Sequence, residues 1–134
     1  PLYEQELLSI TGGINIVLLG TGGGPFWPGS AVDPGHVAGI MPGHPELWRP
    51  EAGRFAVIQD SPKPPKRRMT VTAPAIWETT DLVLGIVTGL EKAGTVANYL
   101  APAIDQVHCP IKVIDGVRSC ASYFVTNVRV SEVS

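Results

Sequence analysis

The sequence predicts an α/β fold, a mostly parallel open sheet with flanking helices, in a single domain spanning residues 1–134. Three observations predict it. Residues 14–20 ("INIVLLG"), 81–89 ("DLVLGIVTG") and 111–115 ("IKVID") are apolar runs of strand length without solvent-facing alternation. Strands covered on both faces read this way. Residues 90–100 ("LEKAGTVANYL") follow the second run with helical, amphipathic spacing. Gly20 and Gly89 mark the points where strands give way to loop or helix, the punctuation of alternating strand and helix units.

Taken in order, residues 2–10 place Leu2, Leu7, Leu8 and Ile10 among polar neighbours, a short helical pattern that Gly12 and Gly13 end. The strand over 14–20 follows. Residues 20–45 are rich in Gly and Pro and read as a long loop, a length that in compact domains goes with function or disorder. Residues 54–59 ("RFAVIQ") and 69–73 ("MTVTA") read as short strands, and 74–79 as a turn of helix. The strand over 81–89, the helix over 90–100 and the strand over 111–115 complete the layer. Residues 119–134 ("SCASYFVTNVRVSEVS") alternate in places like an antiparallel edge strand.

Composition limits the function classes. The chain has 134 residues, 44% hydrophobic, with 10 Lys and Arg against 12 Asp and Glu. That balance excludes a broad nucleic-acid grip, so any anion site is local. No apolar run reaches the roughly 18 residues that span a bilayer, which leads us to expect a soluble, cytoplasmic protein without a membrane partner. Cys109 and Cys120 are too few for a disulfide framework and lack metal-site spacing, so free thiols and no metal are expected.

In such sheets ligands gather at the carboxyl ends of strands, where loops and helix N-termini point N–H groups outward. Two segments fit. In "LLGTGGG", residues 18–24, Gly20, Gly22, Gly23 and Gly24 let the backbone approach a ligand closely. In "VTGLEKAG", residues 87–94, a strand turns through Gly89 into a helix carrying Lys92, and a cation beside a helix N-terminus favours phosphate.

Three blocks together carry a more specific signal: "GHVAGIMPGHPELW" (35–48), "SPKPPKRRMTVTAPAI" (61–76) and "LVLGIVTGLEKAGTVANYL" (82–100). In order and rough spacing they resemble the 6-phosphogluconolactonases, relatives of the glucosamine-6-phosphate deaminases. Those proteins follow an apolar strand with a Gly-x-Gly-x-Asp-Gly-His segment, a Pro-Gly-His-Pro turn, a Ser-Pro-Lys-Pro-Pro-x-x-Arg approach to a strand, and a Thr/Ser-Gly-x-x-Lys-Ala helix start. The prolines of the second block deliver the chain stiffly to the next strand.

The resemblance implies metal-free and cofactor-free hydrolysis of 6-phosphogluconolactone, a step of the pentose phosphate pathway. It implies that Arg68 and Lys92 reach the phosphate of the small sugar lactone, and that His36, which matches the histidine of the Gly-His pair, acts as general base. Histidine suits that task, with an ordinary pKa of about 6.5. Asp33, parted from Gly35 by Pro34, stands with His36 among the catalytic candidates. Backbone N–H groups around Gly22 to Gly24 are candidate oxyanion donors. Lys63, Lys66 and Arg67 read as solvated loop charges. His44 reads as shaping its turn, and His108 has no evident role.

Two departures accompany the resemblance. Twelve residues lie between Gly22 and Gly35 where the family has a short link, an insertion able to act as a lid. The family's domains are also close to twice this length, so the chain resembles their C-terminal half. Apolar sheet would then be exposed, and the expected partner is a second copy or a complementing N-terminal half chain.

Other readings remain. An amino-sugar-phosphate deaminase or isomerase shares the phosphate grip, and a non-catalytic sugar-phosphate-binding half-domain belongs to a different class. A metallo-β-lactamase-like hydrolase needs a histidine cluster that His36, His44 and His108 are too far apart in sequence to supply. A dinucleotide fold lacks its third glycine and its acidic residue.

Overall fold

The computed structural model describes residues 13–26 and 28–129, together with residues 2, 5, 6, 9 and 131. The helix expected over 2–10 falls largely outside these residues, as does Trp27. The architecture is α/β, as the sequence predicts. Strands β1 (Ile16–Gly20), β4 (Leu82–Val87) and β5 (Ala121–Thr126) form one sheet in the order β1-β4-β5, parallel throughout. Strands β2 (Phe55–Ile58) and β3 (Arg68–Val71) form a separate antiparallel pair. Helix α1 (Ala73–Trp77) follows β3, and α2 (Ala93–Leu100) follows β4 after a 3-10 turn over Leu90–Lys92. Thr72 caps α1, its hydroxyl accepting the Ala75 N–H, and Pro74 occupies the first turn, where its missing N–H costs nothing.

Two strand expectations are corrected. Residues 111–115 are not a strand. They lie in a 3-10 helix, Pro110–Gly116, that packs Ile111 and Ile114 across the sheet at Gly85. Pro110 starts the turn at its φ, and Ile111, Val113 and Ile114 are buried. The ammonium of Lys112 turns away to the carbonyls of Ala101, at 2.6 Å, and Ile104. A buried strand would have offered that charge no such exit. The tail strand β5 is parallel to β4, pairing Leu82 with Ala121, rather than antiparallel. Local alternation reports burial on two faces, whereas direction is set by the crossover through α2, which returns the chain to the starting end of the sheet.

The core lies on one face of the sheet. Leu19, Val83 and Val87 pack there with Ile111, Val113 and Ile114, and α1 joins through Ile76 and the Trp77 indole N–H, which donates to the Val113 carbonyl at 2.9 Å. The expectation that β1 is covered on both faces fails on the other side. There Ile16, Leu18 and Tyr123 are 58%, 63% and 56% exposed. Ile111→Val should cost about 0.5–1.5 kcal/mol, since it removes one methylene from a site without solvent access; chemical denaturation checks it.

Candidate functional site

A cleft of about 550 Å³ opens at the carboxyl end of β1, and its walls include Gly20, Gly22, Gly23, His36, Lys63 and Lys92. Past Gly20 the chain does not wander. Bridges pair Thr21 with Val37 and Pro25 with Val32, and the Phe26 N–H donates to the Ala31 carbonyl at 3.1 Å, so the inserted residues close on themselves as an irregular hairpin. Its base is tied twice. The Gly22 N–H and the Thr21 hydroxyl donate to the His36 carbonyl at 3.0 and 2.8 Å, and the Thr95 hydroxyl of α2 donates to the Gly22 carbonyl at 2.9 Å.

This closure brings Asp33 and His36 together. Asp33 is buried, and its Oδ1 accepts the N–H groups of Gly35 and His36, each at 2.9 Å. Its Oδ2 pairs with His36 Nδ1. Pro34 therefore does not part the two residues. Gly35 makes the tight path possible with φ of 124°, and a Cβ there would lie 2.9 Å from the Thr95 methyl. A Cβ on Gly22 would collide with both the Asp33 carboxylate and the His36 imidazole. The ring of Phe26 lies 6.3 Å from that of His36, so the hairpin flanks the histidine.

Burial alone would push the Asp33 carboxyl up. The bond to the His36 ring, the N–H groups of His36 and Gly35 and the histidine charge outweigh it and hold the carboxyl below its ordinary value. An ionised Asp33 accepts from Nδ1–H, which fixes the tautomer and leaves Nε2 of His36 as the basic nitrogen.

Of the glycines, Gly20, Gly22 and Gly23 line the cleft, whereas Gly24 supports the hairpin, its carbonyl accepting the Asp33 N–H at 2.7 Å. The Gly22 N–H is taken by His36, so of this loop Gly23 is the better placed donor for an oxyanion. Gly23 also lets Lys92 come close, since a Cβ there would lie 2.7 Å from the lysine Cγ.

Arg68 lies elsewhere. Its guanidinium donates to the carbonyls of Pro65, at 3.0 Å, of Lys63, at 3.3 Å, and of Pro64, and it is not among the residues lining the cleft. Lys63, read from sequence as a solvated charge, does line it. The signal that could have found Lys63 is its place between Pro62 and Pro64, a stiff backbone that projects a side chain in a set direction.

His44 is buried and precedes a 3-10 turn over Pro45–Trp48, with Nδ1 bonded to Glu46 at 2.9 Å, in keeping with a shaping role. His108 is exposed and bonded to Asp105 at 2.7 Å. Cys109 and Cys120 are both free, and burial pushes the Cys109 thiol up to about 11, so it stays protonated and inert.

Comparison with known proteins bears on the family and the fold. The profile of the family described as glucosamine-6-phosphate isomerases/6-phosphogluconolactonase matches residues 2–122. A probable chloroplastic 6-phosphogluconolactonase of Oryza sativa is 32% identical over 101 residues, which cover 75% of this chain and 30% of that protein. The 6-phosphogluconolactonase of Mycobacterium bovis is 40% identical over 77 residues, 57% of this chain and 30% of that one. Among solved structures, 6-phosphogluconolactonase from Trypanosoma cruzi superposes with a TM-score of 0.64 at 21% identity, over 93% of this chain and 47% of the other, a likeness of fold. The chain thus spans about half of that structure and less of the curated relatives. With the profile covering all but the ends of the chain, this protein belongs to the glucosamine-6-phosphate isomerase/6-phosphogluconolactonase family.

Proposed function

We propose that this chain carries the hydrolytic centre of a lactonase acting on a phosphorylated sugar δ-lactone, 6-phosphogluconolactone. The observation that supports it above all is the Asp33–His36 pair at the wall of a cleft that also holds Lys92. Asp33 holds Nδ1, and Nε2 takes a proton from water as its oxygen attacks the lactone carbonyl. The Gly23 N–H faces the developing oxyanion. When the acyl–oxygen bond breaks, the same proton passes from Nε2 to the departing ring oxygen, which becomes a hydroxyl. Lys92 holds the phosphate as a point charge. No metal is needed, because a δ-lactone is already a reactive ester.

The exposed apolar residues Ile16, Leu18 and Tyr123, with the chain's half-length match, support a covering partner. A second copy or the half carried by longer relatives would serve, and sedimentation of the purified chain separates them.

The test is proton release from 6-phosphogluconolactone by the purified chain, corrected for spontaneous hydrolysis. A rate well above background is expected. A rate equal to background would remove catalysis from this chain and leave only its family membership.

A further inference from the structure

We infer that Lys63 is a second phosphate ligand of the cleft, and that Arg68 acts through it as a positioning residue; the inference rests on the sugar-phosphate reading above. The argument begins with the turn that joins Ser61 to β3. Ser61 is buried, and its N–H donates to the Lys66 carbonyl at 2.9 Å, which closes the turn. Its hydroxyl donates to the Lys63 carbonyl at 2.8 Å and accepts the Lys63 N–H at 3.2 Å. The Arg68 Nε also donates to the Lys63 carbonyl, at 3.3 Å, and to that of Pro65, at 3.0 Å, while Nη2 donates to that of Pro64. Pro62 and Pro64 restrict the backbone on either side. Both peptide groups of Lys63 are thus fixed, and its side chain borders the cleft with His36 and Lys92.

A lysine rooted this firmly loses less freedom on gripping an anion than a loop lysine does. Lys66 and Arg67 share the turn but do not line the cleft. Two ammonium groups also match the charge of a phosphate monoester, about −1.5 to −2 at neutral pH. Arg68 suits the other role. Its planar, pre-organised fork meets three carbonyls in one fixed geometry, which the rotating ammonium of a lysine does not present.

The experiment titrates 6-phosphogluconate, the stable product, into the intact chain by calorimetry, with gluconate as the phosphate-free control. Lys63→Ala should weaken 6-phosphogluconate binding about ten- to a hundredfold, the range for a charge-assisted hydrogen bond, and leave gluconate unaffected. Lys63→Arg should restore most of it, and Lys66→Ala should change it less than twofold.

For Arg68 the readout is coupling. Arg68→Lys, which keeps the charge and loses the fork, should weaken binding in the native chain and add little in the Lys63→Ala background. Losses that simply add would make Arg68 a direct ligand and overturn its positioning role. Native affinity in Lys63→Ala would make Lys63 a solvated charge and overturn the inference, with the sugar-phosphate reading intact. A native chain that binds neither compound at millimolar concentration would overturn both.

Discussion

His36→Ala is expected to lower kcat for lactone hydrolysis by about 10²- to 10⁴-fold, the usual contribution of a positioned general base. KM should change little, because the proposed grip on the substrate phosphate lies with Lys92 and Lys63 rather than with the imidazole. The fold should survive. The ring is partly exposed at the cleft, and the His36 carbonyl that ties the hairpin to Thr21 and Gly22 is backbone. Rates need correction for spontaneous hydrolysis, and circular dichroism should match the native chain. A variant that keeps more than about a tenth of the native rate would remove His36 from the chemistry, since a general base cannot contribute so little.

Asp33→Asn should cost at least about 10²-fold in rate, by a different route. An amide at Oδ2 either presents N–H to Nδ1 or turns its oxygen there and gives up the backbone pair at Oδ1. In the first case Nδ1 must become the acceptor, and Nε2 then carries the proton and cannot act as base. The substitution also changes acid stability. The folded Asp33 carboxyl lies below its ordinary value of 3.8, so the ionised form favours the fold. That contribution is fully present above about pH 3.8 and is lost as pH falls from there through the lower folded value. The native chain should therefore lose thermal stability on acidification in that window more steeply than Asp33→Asn does. Melting temperatures at pH 6, 4 and 3 check it, and parallel curves would mean that the pair contributes nothing.

Much of the scaffold was legible because it rests on local constraints. The apolar runs at β1 and β4, the glycine that opens the segment into α2, and the Pro74 start of α1 follow from propensity, φ restriction and periodicity, all of which neighbours in sequence determine. The three blocks that match the family were legible for the same reason. They are short, and each requires particular residues within a few positions.

What failed to show depends on partners far away in the chain. Nothing near residues 111–115 says that the sheet offers Gly85 as a seat rather than a free edge, so a strand and a 3-10 helix read alike there. Nothing near Asp33 reveals how the inserted hairpin is seated on the fold, for its base at Gly22 is tied to Thr95, more than sixty residues beyond Asp33. That Lys63 borders the cleft while Arg68 turns to carbonyls has a related reason. A sequence gives each cation its charge but not its direction, and direction was decided by which carbonyls the Ser61 turn left within reach of the guanidinium. The order of residues along the chain was enough for the parallel layer and the family. The tertiary structure decided which lysines share the cleft with His36 and how the loop that carries the Asp33–His36 pair is buried, because hydrogen bonds and burial of that kind are settled between segments that meet only after folding.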